Sequence, residues 1–445
     1  MATDDDRRRA SLGRRLGLLR SRNFRRVFLA QTVSVFGDGI TPVALTFAVL
    51  DLTGSGTDLG LVLAAQSLPL AALALVGGVW ADRLPRERVM IASDLVRGVV
   101  QATAAGLLLV GAARVWQLAL LAALHGSAEA FFRPAAGALL PQVVSKPSLQ
   151  RANALMGMSD NFGWMVGPAV AGTLVAVVGA GGAIAVDAAT FFVSAAFLAG
   201  LRVPPYARSA AAESFVRELR EGWQEVRSRT WLWVMLLRAS LVLCVVIAPF
   251  QVLGPLGLRE QGYTAAAWGW VTAVFSLGMM IGGGVAFRYR PRRPMLTVAL
   301  TGTTAVASPL TLALGGGPWE LGVVQGLRGV AVGLLVAVWD TALQTEVEEQ
   351  ALGRVVAWDW MASLALWPAG LAVAGPLADA FGVTTTSWFS FGLGAVASLW
   401  VLGVRDVRQM RSRLASQAAR RAGRRPPQRA ARRSCARHGA GGRDD

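Results

Sequence analysis

A few ionisable side chains stand inside long apolar runs, where charge is costly enough that its presence demands a functional reason. They are Asp38, His125, Glu129 with Arg133, and Arg328. At about 1.5 Å per helical residue, Asp38 lies roughly 15–20 Å along its run, near the middle of a bilayer. An unpaired carboxylate is expensive there and a bound proton relieves the cost. Asp38 is therefore the first candidate for coupling proton movement to the movement of something else. Glu129 and Arg133 are four apart on one helix face, so they can pair with each other or help to shape a proton site around Asp38. His125 titrates near neutrality, although a lone histidine in a helix is more often a satisfied hydrogen-bonder. Arg328 can meet either an anionic group of a bound molecule or a neighbouring acid. Arg238 lies near the start of its run, where its guanidinium can snorkel to the interface.

Other chemistries lack their parts. Two cysteines far from each other and two widely separated histidines supply neither a metal cluster nor a disulfide framework. No nucleophile has a base beside it, and no glycine-rich loop ends in Gly-Lys-Ser/Thr to cradle a nucleotide. The expectation is a protein that is not an enzyme, with no cofactor and no metal.

The elements that must position these residues are apolar segments of about 20 residues, recurring about twelve times, each long enough to span a bilayer. They fall near 24–50, 58–81, 88–110, 115–143, 152–178, 181–201, 231–256, 264–287, 294–314, 318–344, 354–378 and 384–404. A composition 54% apolar and 16% charged, with a mean hydropathy of +0.47, fits a chain that lives in lipid. The net charge of +17 does not indicate nucleic acid, because its arginines sit in alternate connections and in both tails. Arg83, Arg86, Arg88, Lys146, Arg151, Arg208, Arg217, Arg220, Arg227, Arg229, Arg288, Arg290, Arg292, Arg293 and Arg354 share one set of connections, against only Arg114 and Arg259 in the other. The positive-inside rule then puts both termini in the cytoplasm.

The expected organisation is all-α and integral to the membrane. A basic extension (1–23) leads into a six-helix bundle (24–202). A cytoplasmic linker (203–230) with an amphipathic helix follows, then a second six-helix bundle (231–405) and a basic disordered tail (406–445). In the linker, Phe215, Leu219, Trp223 and Val226 recur at helical spacing.

Two local patterns carry more. Gly77-Gly78-Val79-Trp80-Ala81-Asp82-Arg83-Leu84-Pro85-Arg86-Glu87-Arg88 joins the second and third spans on the arginine-rich side. Gly78 permits close helix approach, and Asp82 at a helix tip can face a neighbouring helix N-terminus and pair with Arg83 or Arg86, as a lock that opens and closes. Asp94 and Arg97, on one face of the third span, can join it. In the fifth span, Gly163-Trp164-Met165-Val166-Gly167-Pro168-Ala169-Val170-Ala171-Gly172 combines small residues four apart with a proline that bends the helix, which suits a rocking interface.

These two segments resemble the loop signature of the major facilitator superfamily and the antiporter signature of its exporters, with Pro85, Glu87 and Ala171 departing from the pattern. Together with Arg22-Asn23-Phe24-Arg25-Arg26, Gly37-Asp38, Phe132-Arg133-Pro134-Ala135, Ala152-Asn153-Ala154 and Asp187-Ala188-Ala189-Thr190-Phe191-Phe192, they are similar to the drug:proton antiporter branch that contains macrolide efflux proteins and the enterobactin exporter. The resemblance implies proton-driven export of an amphipathic small molecule by alternating access. The arginine that many such antiporters carry in the fourth helix is missing around His125-Gly126, and the second-half counterpart of the loop signature, Gly282 to Arg288, lacks the acid.

Trp164, Arg328, Trp360 and Trp367 are candidates to line the substrate cavity. Expected partners are a small-molecule substrate, protons and lipid, with no nucleic acid, for a monomer in the plasma membrane. An importer or proton symporter, and a transport-inactive sensor, are the alternatives.

Overall fold

The computed structural model describes residues 17–81, 84–203 and 215–410, and within them the chain is helical with no strand. Asp82 and Arg83, the surroundings of Gly78, the N-terminal residues to 16, residues 204–214 and the tail from 411 lie outside the described residues.

Helices α1 (Arg22–Thr53), α2 (Gly56–Ala81), α3 (Arg86–Leu109), α4 (Val115–Val143) and α5 (Leu149–Ala199) precede a short amphipathic α6 (Phe215–Ser228). After it, α7 (Thr230–Val242) passes through a π turn at 243–247 into α8 (Ala248–Glu260). Then come α9 (Ala265–Ala286), α10 (Pro294–Gly302), α11 (Ala307–Ala313), α12 (Pro318–Glu346), α13 (Glu349–Ala365) and α14 (Trp367–Leu399).

Ten stretches among the described residues are long and apolar enough to cross a bilayer, and two of them, Lys146–Ala199 and Gln350–Gly403, run to 54 residues each. A straight helix of that length, at about 1.5 Å per residue, exceeds twice the hydrocarbon thickness. Neither is straight. Gly179 (φ 75°, ψ 169°) and Gly382 (φ 81°, ψ 157°) leave helical geometry in a region that residues with a Cβ avoid. The chain reverses there. Ser159 and Asp187, on either side of Gly179, bond to Thr32 and Thr41 of the same helix α1, and Gly370 and Gly394, on either side of Gly382, lie against Cys244 and Val246. The remaining positive-φ glycines, Gly54, Gly111, Gly262 and Gly315, stand at the connections α1–α2, α3–α4, α8–α9 and α11–α12, which are the arginine-poor ones.

Packing divides in the same sense. α5 lies along α1 and α3, α2 pairs with α4, and α9 pairs with α12. Between the helices before α6 and those after it, the main contacts are α5 with α9 and α2 with α14. One apolar cluster, including Ile40, Leu50, Phe250, Leu256, Trp268 and Leu371, is shared by both sets near the glycine turns. Towards the arginine-rich connections the cores separate, with Phe24, Met90, Leu139 and Met156 in one and Leu232, Met295, Val355 and Val401 in the other. The two sets are thus joined at the arginine-poor end.

α6 docks on the second set. Val226 is fully buried there, the Trp223 and Trp358 rings lie 4.9 Å apart, and Arg354 reaches Glu221 at 2.9 Å.

Candidate functional site

The first set of helices buries a polar cluster around Arg97. Its guanidinium, 1% exposed, donates to Asp94 one turn back on α3 and stands 3.5 Å from Asp38 on α1. Asp94 also accepts from Ser194 at 2.6 Å. The rings of Phe132 and Phe191 flank the guanidinium, each with its centroid 4.3 Å away, which compensates part of the lost hydration. Asp187 is fully buried and is held by neutral donors, Thr41 and Gln101, the latter at 2.7 Å. On α4, Glu129 accepts from Arg133 Nε at 2.8 Å, so this pair forms within its own helix. His125 presents its ring to Phe191 at 5.6 Å, and its Nδ1 is buried without a hydrogen-bond partner among the described residues.

Buried or nearly buried carboxylates here are Asp38, Asp94, Glu129 and Asp187, and the guanidiniums beside them are Arg97 and Arg133. Two carboxylates are left with no cation of their own. In a low-dielectric interior such an excess is tolerated when protons or a cationic ligand cancel it.

Asp94 and Arg97 therefore sit deep with Asp38, several turns from Arg86, whereas membership of the loop lock would put them at the membrane edge. Arg86 itself donates to the Ala138 carbonyl of α4 at 2.7 Å, tying the start of α3 to its neighbour.

The α5 glycines work on two faces. Gly163 and Gly167 press on α1, where a Cβ on Gly167 would meet the Gly39 Cα at 2.7 Å. Gly172 presses on α9 instead, with a Cβ meeting the Ala265 carbonyl oxygen and the Ala266 Cα at 2.9 Å. Pro168 faces the same helix at Gly269, and Ser276 of α9 donates to the Trp164 carbonyl at 3.1 Å. The motif thus fastens α1 with one edge and touches the second set with the other. Near it, Thr32, Val33, Phe36, Ser159, Phe162 and Gly163 line an apolar recess of about 190 Å³.

In the second set the buried charges are cations. Arg328 donates to Gln325 at 2.7 Å, Gln325 also accepts from Ser308, and Phe275 lies 4.7 Å under the guanidinium. Among the described residues no carboxylate pairs with it, and its Nε has no partner. Arg238 does not snorkel: it is 4% exposed and donates to the backbone carbonyls of Ala299 and Ser398 at 3.0 and 3.3 Å. The helix rotation that buries it follows from its neighbours Leu232, Met235 and Leu236, which face the same core. Trp164 and Trp360 are exposed, Trp367 packs against the shared apolar cluster, and Trp268 is buried against Phe250.

Gln101, Thr41, Ser194 and Asp187 complete the cluster, and sequence reasoning does not single them out for it. Asp187 carries the same signal as Asp38, an acid inside an apolar run. The neutral residues carry none, since serines, threonines and glutamines are common in such helices.

Comparison with known proteins agrees with this architecture. The family model of the Major Facilitator Superfamily matches residues 27–363. The multidrug efflux pump Tap of Mycolicibacterium fortuitum is 31% identical over 383 residues, 81% of this chain and 90% of its own length. Macrolide efflux protein A of Streptococcus pyogenes is 25% identical, covering 82% of this chain and 91% of its own. Among solved structures, the nucleoside transporter NupG superposes with a TM-score of 0.67 at 12% identity, over 85% of this chain and 98% of that one. A bacterial homologue of the human lysosomal transporter Spinster, in an inward-facing and unoccupied conformation, superposes with a TM-score of 0.66 at 15% identity, over 88% and 99%. With the family model covering most of the chain and the helical architecture around it, the protein belongs to the major facilitator superfamily and is a multi-pass transporter of the plasma membrane, not an enzyme.

Proposed function

We propose that this chain exports a small amphipathic compound, an antibiotic, siderophore or similar metabolite, in exchange for protons, by alternating access between bundles 24–202 and 231–405. The observation that carries the proposal is the uncompensated acidity of the first bundle: Asp38, Asp94, Glu129 and Asp187 against Arg97 and Arg133. Asp38 is the coupling residue because it is the least enclosed of the carboxylates around Arg97, with its side chain 18% exposed. A proton arriving there weakens its hold on Arg97, and Glu129 with Arg133 tunes the site from α4. The efflux proteins among the relatives support the direction. So does Gly172 of α5 pressing on α9, since a close-packed, bendable helix at the interface suits a rocking exporter better than a symporter.

Twelve crossings follow if Gly179 and Gly382 each mark a hairpin, and the arginine-rich connections then put both termini in the cytoplasm. With the described residues of the two sets joined at the arginine-poor end, the cavity opens to the cytoplasm. Gly78, Asp82, Arg83 and Arg86 form the gate that closes it in the opposite state, with Asp94 and Arg97 relaying the change inward. Trp164, Trp360 and Trp367 line the path. Arg328, a buried cation with no acid partner among the described residues, receives an anionic group of the cargo. The working unit is the monomer.

The test is efflux of a panel of antibiotics and fluorescent dyes from cells making the wild type or Asp38→Asn, with and without a protonophore. Collapse under either treatment supports proton-coupled export through Asp38. Efflux lost to the protonophore but kept in Asp38→Asn moves the proton site to Glu129 or Asp187. Efflux indifferent to the protonophore overturns the coupling.

A further inference from the structure

The helices joined at the arginine-poor end meet through more than apolar contact. Helix α2 begins at Gly56, and the first backbone N–H groups of a helix have no partner within it. Those of Gly56 and Thr57 donate to the carboxylate of Asp379, each at 2.9 Å, and the Ser55 hydroxyl donates to the same group at 2.8 Å. Asp379 belongs to α14, more than 300 residues on, in the other bundle. A capping side chain normally comes from the residue just before its own helix. Ser55 occupies that place and reaches the Asp58 N–H at 3.2 Å, while the negative charge is supplied in trans. Nearby, Gly60 meets the Leu371 carbonyl oxygen and Gly56 the Leu256 side chain, so the small residues bring the carboxylate within reach.

We infer that Asp379, by capping α2 across the bundle interface, is the latch that holds the closed side of the transporter shut in the state seen here. The inference rests on the alternating-access reading. When the arginine-poor side opens, α2 and α14 separate and the cap is lost, so its free energy counts wholly towards the present state. A second crossing contact, Arg259 to Asp51 at 2.8 Å, closes the same face. Both of its side chains are well exposed, 35% and 60%, and such pairs contribute little. Asp379 is exposed as well, but it gathers three donors on one carboxylate and follows the sense of the helix dipole, which makes it the stronger hold.

The test uses full-length protein reconstituted in lipid, with Cys244→Ser and Cys435→Ser. Spin labels are placed at Leu52→Cys and Phe381→Cys, both exposed near the latch, and the distance between them is read by pulsed electron resonance. Wild type should give one short distance. Asp379→Ala should add a longer one, the ratio of the two states moving about three- to thirty-fold, as loss of a helix cap implies. Asp379→Asn, which keeps one acceptor oxygen, should move it less in the same direction and serves if the alanine variant does not fold. Asp51→Asn should shift the ratio less than about twofold. Superimposable distributions for wild type and both Asp379 variants would overturn the latch, as would an Asp51→Asn shift as large as that of Asp379→Ala. Efflux measured on the same variants separates the two readings: a distance shift in a protein that exports nothing sinks the export proposal alone, and unchanged distances with intact efflux sink the latch alone.

Discussion

The two bundles share an architecture and differ in what they bury. The first hides four carboxylates around two guanidiniums and links them through Thr41, Gln101 and Ser194 across α1, α3 and α5. The second hides Arg328 and Arg238 and holds them with an amide and two backbone carbonyls; among its described residues no acid is fully buried, Asp359 being half-buried and accepting from Trp339 Nε1 at 3.1 Å. A carboxylate can exist charged or protonated, whereas an arginine keeps its charge throughout. In the export mechanism proposed above, this difference would separate two tasks: proton-linked rearrangement in the first half, a fixed positive field in the second.

The sharpest way to break that contrast is Arg97→Gln. It removes the cation that pairs with Asp38 and Asp94 and leaves buried negative charge under-compensated, so a loss of about 3–5 kcal/mol is expected, read as a large fall in thermal unfolding temperature in detergent. Adding Asp94→Asn should recover much of it; no recovery would mean that Arg97 acts through its packing between Phe132 and Phe191 rather than through charge. A smaller effect is expected from the matching change in the second bundle. Arg328→Gln removes a hydrogen bond but also an uncompensated buried cation, so stability should stay within about 1 kcal/mol. Efflux of carboxylate-bearing compounds should fall while that of purely cationic ones stays; equal loss for both would make Arg328 structural. The smallest effect belongs to His125→Leu. Its 4% exposed ring lies edge-on to Phe191 and its Nδ1 has no hydrogen-bond partner among the described residues, so a leucine of similar volume should move stability by less than about 1 kcal/mol. The pH profile of efflux should be unchanged, and a displaced profile would bring the histidine into the proton path.

Much of the helical layout is legible in the sequence because apolar length is a local property. The gap between the spans at 152–178 and 181–201 holds Gly179, and the gap between 378 and 384 holds Gly382. The α5 glycine pattern announces close packing, although not that its two edges serve different neighbours. The partners of the buried charges are less readable. Asp94 and Arg97 share one face of a helix, as their spacing requires, but which way that face turns depends on the packing of α1, α4 and α5 around it. Arg238 shows the same limit: its distance along the helix suggests snorkelling, and only the orientation of α7 against the Ala299 and Ser398 carbonyls places it in the core. Asp379 lies beyond reach altogether, since its partner is the start of a helix in the other bundle.

Gly54, Gly111, Gly179, Gly262, Gly315 and Gly382 all stand where one helix gives way to the next on the arginine-poor face, and two of them do it with no intervening loop. That face consequently offers almost nothing to grip: no strand of exposed backbone for a protease, scant surface for an antibody and little room for a glycan or an epitope tag. A handle meant for it fits the short stretches around Gly111–Arg114, Gly262–Thr264 or Gly315–Gly317, where a Cβ at the leading glycine meets no neighbour within 4 Å and added residues can project outward.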